Sequence, residues 1–300
     1  MYDIIIIGGG AAGLNAALYA SRQGMKTAVI SKDFGGTTME AHLIENWLGF
    51  EGTGTELAEK FVEHSKKFGA EHITAEIKKV EKQGNKFIVS IEGKKYESKS
   101  LILATGMEHR KLGIKGEKEF FGKGVSYCYT CDGPLFKGKT VAVIGGADSA
   151  VNGAWFMSDY AKKVYIIYRK DKLRAEPVTV DRVLKTKNIE PVYNANVTEI
   201  KGDKMVSSVL LDTGKELEVE GIFIEIGHVP LTAIVKDLGI ELNNKGFVKS
   251  DDWRATNVPG VFVAGDLCAN NVIRQVVSAV ADGATAAISA AKYVKSGKND

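Results

Sequence analysis

The stretch that decides the fold of this chain reads Ile4-Ile5-Ile6-Ile7-Gly8-Gly9-Gly10-Ala11-Ala12-Gly13. An apolar run of this length predicts a buried strand, and the glycines that end it predict a tight turn. Residues 14–20 then predict a helix, and residues 27–30 predict a second strand. This order is typical of a unit that binds dinucleotides, because a pyrophosphate is held by the free N–H groups of a helix N-terminus.

The same unit occurs a second time at a constant offset. Residues 141–144 predict a strand, residues 145–150 the glycine turn and residues 164–167 the returning strand. Gly8 corresponds to Gly145, Gly10 to Ala147 and Gly13 to Ala150. Two units in register predict an α/β protein with two Rossmann-like, three-layer ββα, nucleotide-binding domains.

The two copies differ after their second strand, where the ribose of a dinucleotide is recognised. The first copy carries Asp33, a candidate partner for a ribose hydroxyl. The second copy carries Tyr168-Arg169-Lys170, followed by Arg174. These cations favour a 2′-phosphate, and therefore NADP(H) over NAD(H), although an exposed basic helix start is the alternative. Ala147 adds a methyl group where the backbone should approach a pyrophosphate.

Two later apolar runs predict further strands of a parallel sheet. Residues 101–106 end in a turn at Gly106, and residues 261–266 end in an acid, Asp266. Ligands of such sheets bind outside the carboxyl ends of the strands, so Asp266 is expected to hold a polar arm of a cofactor. Alternating residues also predict hairpins over 86–100 and 206–224.

The second nucleotide unit is inserted within the first. We expect one discontinuous domain of residues 1–113 and 246–300, and a second domain of residues 114–245. Glycine-containing polar stretches at 113–116 and 243–246 are candidate hinges between them.

Cys128 and Cys131 form a C-x-x-C that is followed by Asp132. A structural zinc site needs four ligands, whereas the chain has only one other cysteine, Cys268, and five histidines without metal spacing, so we predict no metal site. The spacing instead favours a redox dithiol. Asp132 is expected to donate or accept a proton during exchange, and a helix cap is its alternative role.

Composition limits the class of protein. The chain has 300 residues, 44% of them hydrophobic and 26% charged, with a net charge of +3, which is typical of a globular protein and does not favour nucleic acid as a partner. No apolar run reaches the ~18 residues of a membrane span. The first strand begins at once and leaves no room for a signal peptide, so we expect a cytoplasmic location.

Taken together, these residues resemble the low-molecular-weight thioredoxin reductases over nearly the whole chain. The resemblance rests on both fingerprints, on the cysteine segment 124–133 between them and on further matching segments at 35–36, 45–47, 104–106, 169–175, 227–230, 265–266 and 274–275. It implies a homodimer whose FAD domain is interrupted by an NAD(P)H domain carrying the dithiol. FAD contacts are implied for Gly8, Gly10, Ala12, Gly13, Asp33, Gly36, Thr37, Asn46, Ala104, Thr105, Gly106, Asp266, Arg274, Gln275 and Val276. NADPH contacts are expected for Gly145, Gly146, Ala147, Asp148, Ser149, Arg169, Lys170 and Arg174.

The implied activity is reduction of thioredoxin by NADPH, with Cys131 facing the flavin and Cys128 attacking the partner. Lys170 stands where the family has an arginine, and lysine lacks the bidentate fork of arginine. With Ala147, this leaves NADH or a reduced deazaflavin open as donor, and a glutaredoxin-like or peroxiredoxin-linked protein open as partner. A ferredoxin–NADP reductase does not need the cysteines, and a flavin-holding sensor without turnover would transfer no electrons to the disulfide.

Overall fold

The computed structural model of this protein describes residues 1–41, 44–271 and 273–297. The chain divides into two compact units, one of residues 1–108 and 229–300 and one of residues 109–228. The chain therefore crosses between the units at 108/109 and 228/229, whereas we expected the crossings at 113/114 and 245/246. Residues 229–245 belong to the first unit because Leu238, Ile234 and Ile240 pack into its core.

The first unit contains a mainly parallel sheet with helices on one face. Its elements are β1 (Tyr2–Ile7), α1 (Ala11–Arg22), β2 (Thr27–Ser31), β3 (Ile44–Trp47), β4 (Phe50–Gly52), α2 (Gly54–Lys66), β5 (Glu71–Thr74), β6 (Ile77–Gln83), β7 (Lys86–Ile91), β8 (Lys94–Leu103) and β9 (Met107–His109). After the second unit, β18 (His228–Pro230), β19 (Val261–Val263) and α6 (Val276–Lys295) complete it, with short 3-10 helices at Gly36–Glu40, Ala233–Leu238 and Gly265–Leu267.

The seven-stranded sheet of this unit has the order β5-β2-β1-β8-β7-β6, and β19 pairs with β8. β1 lies parallel to β2 and β8, whereas β6, β7 and β8 form an antiparallel meander. The carboxyl half of β8 thus belongs to the parallel sheet, and its amino half belongs to the predicted hairpin.

The run of isoleucines in β1 follows from burial on both faces of the sheet. Ile4 and Ile6 pack against the helices α1 and α6, and Ile5 and Ile7 pack against residues of the meander, such as Val80 and Phe87. Alanines fill the contact between α1 and α6 and allow the two helices to approach closely. The first unit is therefore a three-layer ββα structure, as the sequence predicted.

The second unit repeats this design. Its elements are β10 (Val125–Ser126), α3 (Tyr129–Asp132), a 3-10 helix (Gly133–Phe136), β11 (Thr140–Ile144), α4 (Asp148–Ser158), β12 (Lys163–Tyr168), α5 (Pro177–Lys185), β13 (Ile189–Tyr193), β14 (Val197–Gly202), β15 (Val206–Leu211), β16 (Glu216–Glu218) and β17 (Gly221–Ile224). A parallel sheet of order β10-β17-β11-β12-β13 lies beside an antiparallel sheet of order β14-β15-β16. The internal repeat of the sequence is thus a repeat of structure.

None of the helices in the described part of the chain is both long enough and apolar enough to span a membrane.

Candidate functional site

The first glycine turn joins β1 to α1, and its backbone leaves little room for side chains. Gly8 has φ +111°, and a Cβ built there would lie 2.2 Å from the carbonyl oxygen of Ala104. A Cβ on Gly13 would lie 1.9 Å from the carbonyl oxygen of Gly8. By contrast, a Cβ on Gly10 meets no atom within 4 Å, so the space beside the N-terminus of α1 is open to a ligand.

Three other segments of the first unit meet this turn. Gly35 donates its N–H to the carbonyl oxygen of Gly9 at 2.8 Å, which brings Gly36 and Thr37 close to Gly10. Asp33 is exposed at the end of β2, where its backbone lies against Gly9. A Cβ on Gly265 would lie 2.9 Å from the Cβ of Ala12, so the turn before Asp266 reaches the first turn of α1.

The remaining predicted flavin contacts lie in the same unit. Thr105, which stands between the predicted contacts Ala104 and Gly106, donates its hydroxyl to the carbonyl oxygen of Leu231 at 2.8 Å. Asn46 donates its side-chain amide to Oε1 of Gln275 at 3.1 Å. Val276 begins α6, and Gln275 is its N-cap. Of the predicted flavin contacts, Gly36, Ala104, Thr105 and the turn at Gly265 are thus brought close to the first glycine turn, and Asn46 pairs with Gln275.

Asp266 lies half-buried in the short helix that follows β19. Burial raises the pKa of its carboxyl group, the positive charge of Arg274 opposes that effect, and the nearby Asp282 adds to it. The guanidinium Nε of Arg274 also donates to the backbone oxygen of Asp266 at 3.4 Å. The ionisation of Asp266 is thus coupled to Arg274, which precedes α6, and to Asp282 on α6.

Asp282 anchors this region, although sequence reasoning did not identify it. Its carboxylate is buried and accepts from the N–H of Gly265 at 3.1 Å and from Asn271 at 2.6 Å. Its other oxygen forms an ion pair of 2.5 Å with Arg254. The only signal in the sequence was that Asp282 is the single acid of a helix rich in alanine and other small residues.

The second glycine turn joins β11 to α4. Gly145 has φ +142°, and a Cβ there would lie 2.2 Å from the carbonyl oxygen of Glu225. The buried ring of Tyr168 packs on Gly146, where a Cβ would lie 2.4 Å from the ring. Ala147 is the N-cap residue of α4 and is exposed, so its methyl group occupies the position that is open beside Gly10.

Two side chains of the first turn of α4 are already hydrogen-bonded. Asp148 accepts from the N–H of Glu176 at 2.9 Å and thereby holds the loop that carries Arg174. Ser149 donates its hydroxyl to the buried carboxylate of Glu225. Glu225, at the carboxyl end of β17, was not identified from the sequence because it follows an apolar strand and belongs to no motif.

The basic side chains of the second copy lie beyond the end of β12. Arg169, Lys170 and Arg174 are exposed, and in the portion of the chain that the structure covers none of them forms an ion pair with a carboxylate. Arg174 donates its Nε to the hydroxyl of Tyr168 at 2.9 Å. They lie in a loop and not at a helix start, because α5 begins only at Pro177. This cluster presents positive charge to solvent beside the second glycine turn.

Cys128 and Cys131 form a disulfide in the second unit. Cys128 is half-buried and is the N-cap of α3, and its Sγ accepts the N–H of Cys131 at 3.2 Å. Cys131 is exposed. The buried Ser126 accepts the N–H of Cys128 at 3.0 Å.

Asp132 ends α3 directly after the disulfide and is half-buried. It occupies the N-cap position of the next 3-10 helix, but its side chain makes no capping hydrogen bond there. Cys268, in contrast, is fully buried in the first unit, and burial raises the pKa of its thiol to about 12, with Asp282 adding to the effect. Cys268 is thus a packed free thiol, whereas the disulfide pair is placed for exchange chemistry.

Comparison with known proteins finds matches over nearly the whole chain. The family model described as "Pyridine nucleotide-disulphide oxidoreductase" matches residues 2–283. The curated thioredoxin reductase of Listeria monocytogenes is 42% identical over 98% of this chain and 94% of its own length. The solved thioredoxin reductase of Lactococcus lactis has a TM-score of 0.94 at 39% identity, covering 99% of this chain and 100% of that one. That of T. acidophilum has a TM-score of 0.91 at 43% identity, covering 97% and 98%.

Proposed function

Because the chain belongs to the pyridine nucleotide-disulphide oxidoreductase family and, within it, to the low-molecular-weight thioredoxin reductases, we propose that it is an FAD-dependent enzyme that reduces thioredoxin with NADPH. The observation that carries this proposal is the Cys128–Cys131 disulfide, which lies in the unit that also contains the second fingerprint. Once two electrons have reduced it to the dithiol, such a pair can exchange with the disulfide of a partner.

The exchange is assigned to the two cysteines as the family resemblance implies. In the reduced enzyme, the thiolate of Cys128 attacks one sulfur of the partner disulfide, which forms a mixed disulfide and releases one partner thiolate. The thiolate of Cys131 then attacks the sulfur of Cys128, which restores the Cys128–Cys131 bond and releases the second partner thiolate. Asp132 is assigned to supply or accept a proton during these steps.

The first unit fits FAD. The open space at Gly10 and the N-terminus of α1 suit a pyrophosphate. The exposed Asp33, whose backbone lies against Gly9, supports the proposed contact with a ribose hydroxyl. Asn46, Gln275 and Asp266 supply polar groups in the same unit. Bound FAD supplies hydride acceptance and delivers two electrons to a disulfide.

The second unit is assigned to the nicotinamide nucleotide. The family uses a pyridine nucleotide, and the exposed cluster of Arg169, Lys170 and Arg174 supports NADPH, because three cations favour a 2′-phosphate. The methyl group of Ala147 occupies the space that is open beside Gly10, so a pyrophosphate has less room at the second glycine turn than at the first. This observation supports testing NADH and a reduced deazaflavin as second candidate donors.

An anaerobic titration tests the relay. Flavin-loaded enzyme is expected to take up four electrons, two on the flavin and two on the disulfide, whereas Cys128→Ser takes up two. Titrations with NADPH, NADH and reduced deazaflavin identify the donor by the rate of flavin bleaching. Retained thioredoxin reduction by Cys128→Ser would refute the assignment of Cys128.

A trapping experiment tests the order of attack and the partner. The Cys131→Ser variant is expected to form a stable mixed disulfide with thioredoxin, while Cys128→Ser forms none. The reverse result would exchange the two roles. Repeating the assay with a glutaredoxin-like protein and a peroxiredoxin compares the alternative partners. Sedimentation of the flavin-loaded protein tests the proposed homodimer.

A further inference from the structure

The buried carboxylate of Glu117 connects the first residues of the second unit to the segment that carries the two cysteines. Glu117 is 6% exposed, and its two carboxylate oxygens accept hydrogen bonds from three donors. Two come from the backbone N–H groups of Leu112 and Gly113, at 2.8 and 2.6 Å. The third comes from the hydroxyl of Tyr127 at 2.6 Å.

Tyr127 directly precedes Cys128 and is itself 9% exposed. Its neighbour Ser126 accepts the N–H of Cys128, and β10, which contains Ser126, pairs with β17. The backbone at Cys128 is therefore held from two sides, by the sheet through Ser126 and by Glu117 through the Tyr127 side chain. The ammonium group of Lys111 lies 3.5 Å from the centre of the Tyr127 ring and adds a cation–π contact to the same cluster.

The ionised form of Glu117 is the form that these contacts require. Burial by itself would raise the pKa of the carboxyl group, but the hydrogen bonds from Tyr127, Leu112 and Gly113 outweigh it and lower the pKa. An amide in place of the carboxylate would present an N–H₂ group to at least one of these N–H donors, because only one of its two terminal atoms accepts. The donors around position 117 therefore favour a carboxylate over an amide.

We propose that Glu117 and Tyr127 are positioning residues that hold Cys128 where its sulfur can close on Cys131. This inference deepens the function proposed above, since it concerns the same dithiol. The equilibrium between dithiol and disulfide depends on how often the two thiols are held in bonding geometry, because closure of a ring is favoured by pre-organisation. Loss of the hydrogen bond between Tyr127 and Glu117 therefore makes the disulfide easier to reduce, because the two thiols are then held less often in bonding geometry.

The test measures the midpoint potential of the Cys128–Cys131 couple in the flavin-loaded enzyme, equilibrated in dithiothreitol redox buffers. Tyr127→Phe removes only the hydroxyl, and Glu117→Gln replaces the carboxylate. We expect both variants to shift the dithiol/disulfide equilibrium three- to tenfold toward the dithiol, which corresponds to about +15 to +30 mV for a two-electron couple. The double variant is expected to shift no further than the larger single shift, because the two residues act through one hydrogen bond.

Tyr193→Phe is the matched control, because Tyr193 is a half-buried tyrosine of the same unit whose hydroxyl has no carboxylate partner within the part of the chain that the structure describes. It is expected to leave the potential unchanged. A merely structural role would lower thermal stability in Tyr127→Phe while leaving the potential equal to that of the wild type, and that result would overturn the proposal. Because no partner protein is used, failure here is distinguishable from failure to reduce thioredoxin. Should Glu117→Gln not fold, Tyr127→Phe decides the question alone.

Discussion

Replacing Asp282 with Asn is expected to weaken both the first unit and its hold on flavin. The carboxylate forms an ion pair with Arg254 and accepts from Gly265 and Asn271. An amide cannot replace both oxygens of the carboxylate, because only one of its two terminal atoms accepts hydrogen bonds. If its oxygen faces Arg254, its N–H₂ group opposes the two other donors, and in the reverse orientation it opposes the guanidinium.

The magnitude follows from the burial of the pair. The side chain of Asp282 is 5% exposed and that of Arg254 is 18% exposed, so the guanidinium would remain largely out of water without its counter-charge. Removing one partner of a fully buried pair costs about 3–5 kcal/mol, and the partial exposure of Arg254 places the expected loss at about 2–3 kcal/mol. Since Asp282 also holds the turn before Asp266, we expect FAD to bind about tenfold more weakly, which is about 1.4 kcal/mol.

The assay is urea unfolding followed by flavin fluorescence, because flavin release reports on the first unit. FAD affinity is measured separately by titrating the apoprotein. Asp181→Asn is the matched control, since the pair of Asp181 with Lys185 is 3.9 Å long and its side chains are 73% and 81% exposed. It is expected to change neither quantity. A stability of Asp282→Asn within about 0.5 kcal/mol of the wild type would refute the reasoning, because surface substitutions already reach that size.

Three further predictions concern the second glycine turn and a half-buried histidine. Ala147→Gly removes the exposed methyl group at the N-cap of α4 and is expected to lower the KM for NADPH several-fold with kcat little changed. Steady-state kinetics measures both constants, and an equal or higher KM would contradict the prediction. Gly145→Ala puts a Cβ 2.2 Å from the carbonyl oxygen of Glu225, so flavin reduction by NADPH should be lost while FAD still binds. Gly138→Ala, where φ is +75° and no atom lies within 4 Å, should retain reduction, and similar losses in both would argue against the steric cause. Burial of the ring is the main reason why the pKa of His72 is lowered to about 4. The folded state therefore favours the neutral ring, and the free energy of unfolding should fall as the pH drops from about 6.5 to 4. His72→Gln should flatten that part of the stability curve, and NMR titration of the ring showing an ordinary pKa would contradict the prediction.

The second crossing between the units illustrates what the sequence could not reveal. The glycine-containing stretch 243–246 was a reasonable candidate, but Asn243 accepts from the N–H groups of Lys245 and Phe247 and closes a local turn instead. The segment before it joins the first core through Leu238. Whether an apolar residue packs into one core or another depends on contacts distant in the chain, and local pattern does not report them.

The buried acids were missed for the same reason. Glu117, Glu225 and Asp282 belong to no motif, and each gains its role from partners that other elements supply. A carboxylate in such surroundings is retained only where donors converge on it, and that convergence exists only in the folded chain.

The sequence by itself determined the α/β class, the repeated strand–turn–helix units, the paired hairpins and the cysteine pair, because each is encoded by residues close together in the chain. Period, glycine position and spacing are local properties. Tertiary structure alone decided which strands meet and how Asn46 reaches Gln275. It also decided which buried carboxylates hold the turn at Gly265, the start of α4 and the disulfide segment. These depend on distances across the fold, which are set when the two faces of each sheet are buried at once.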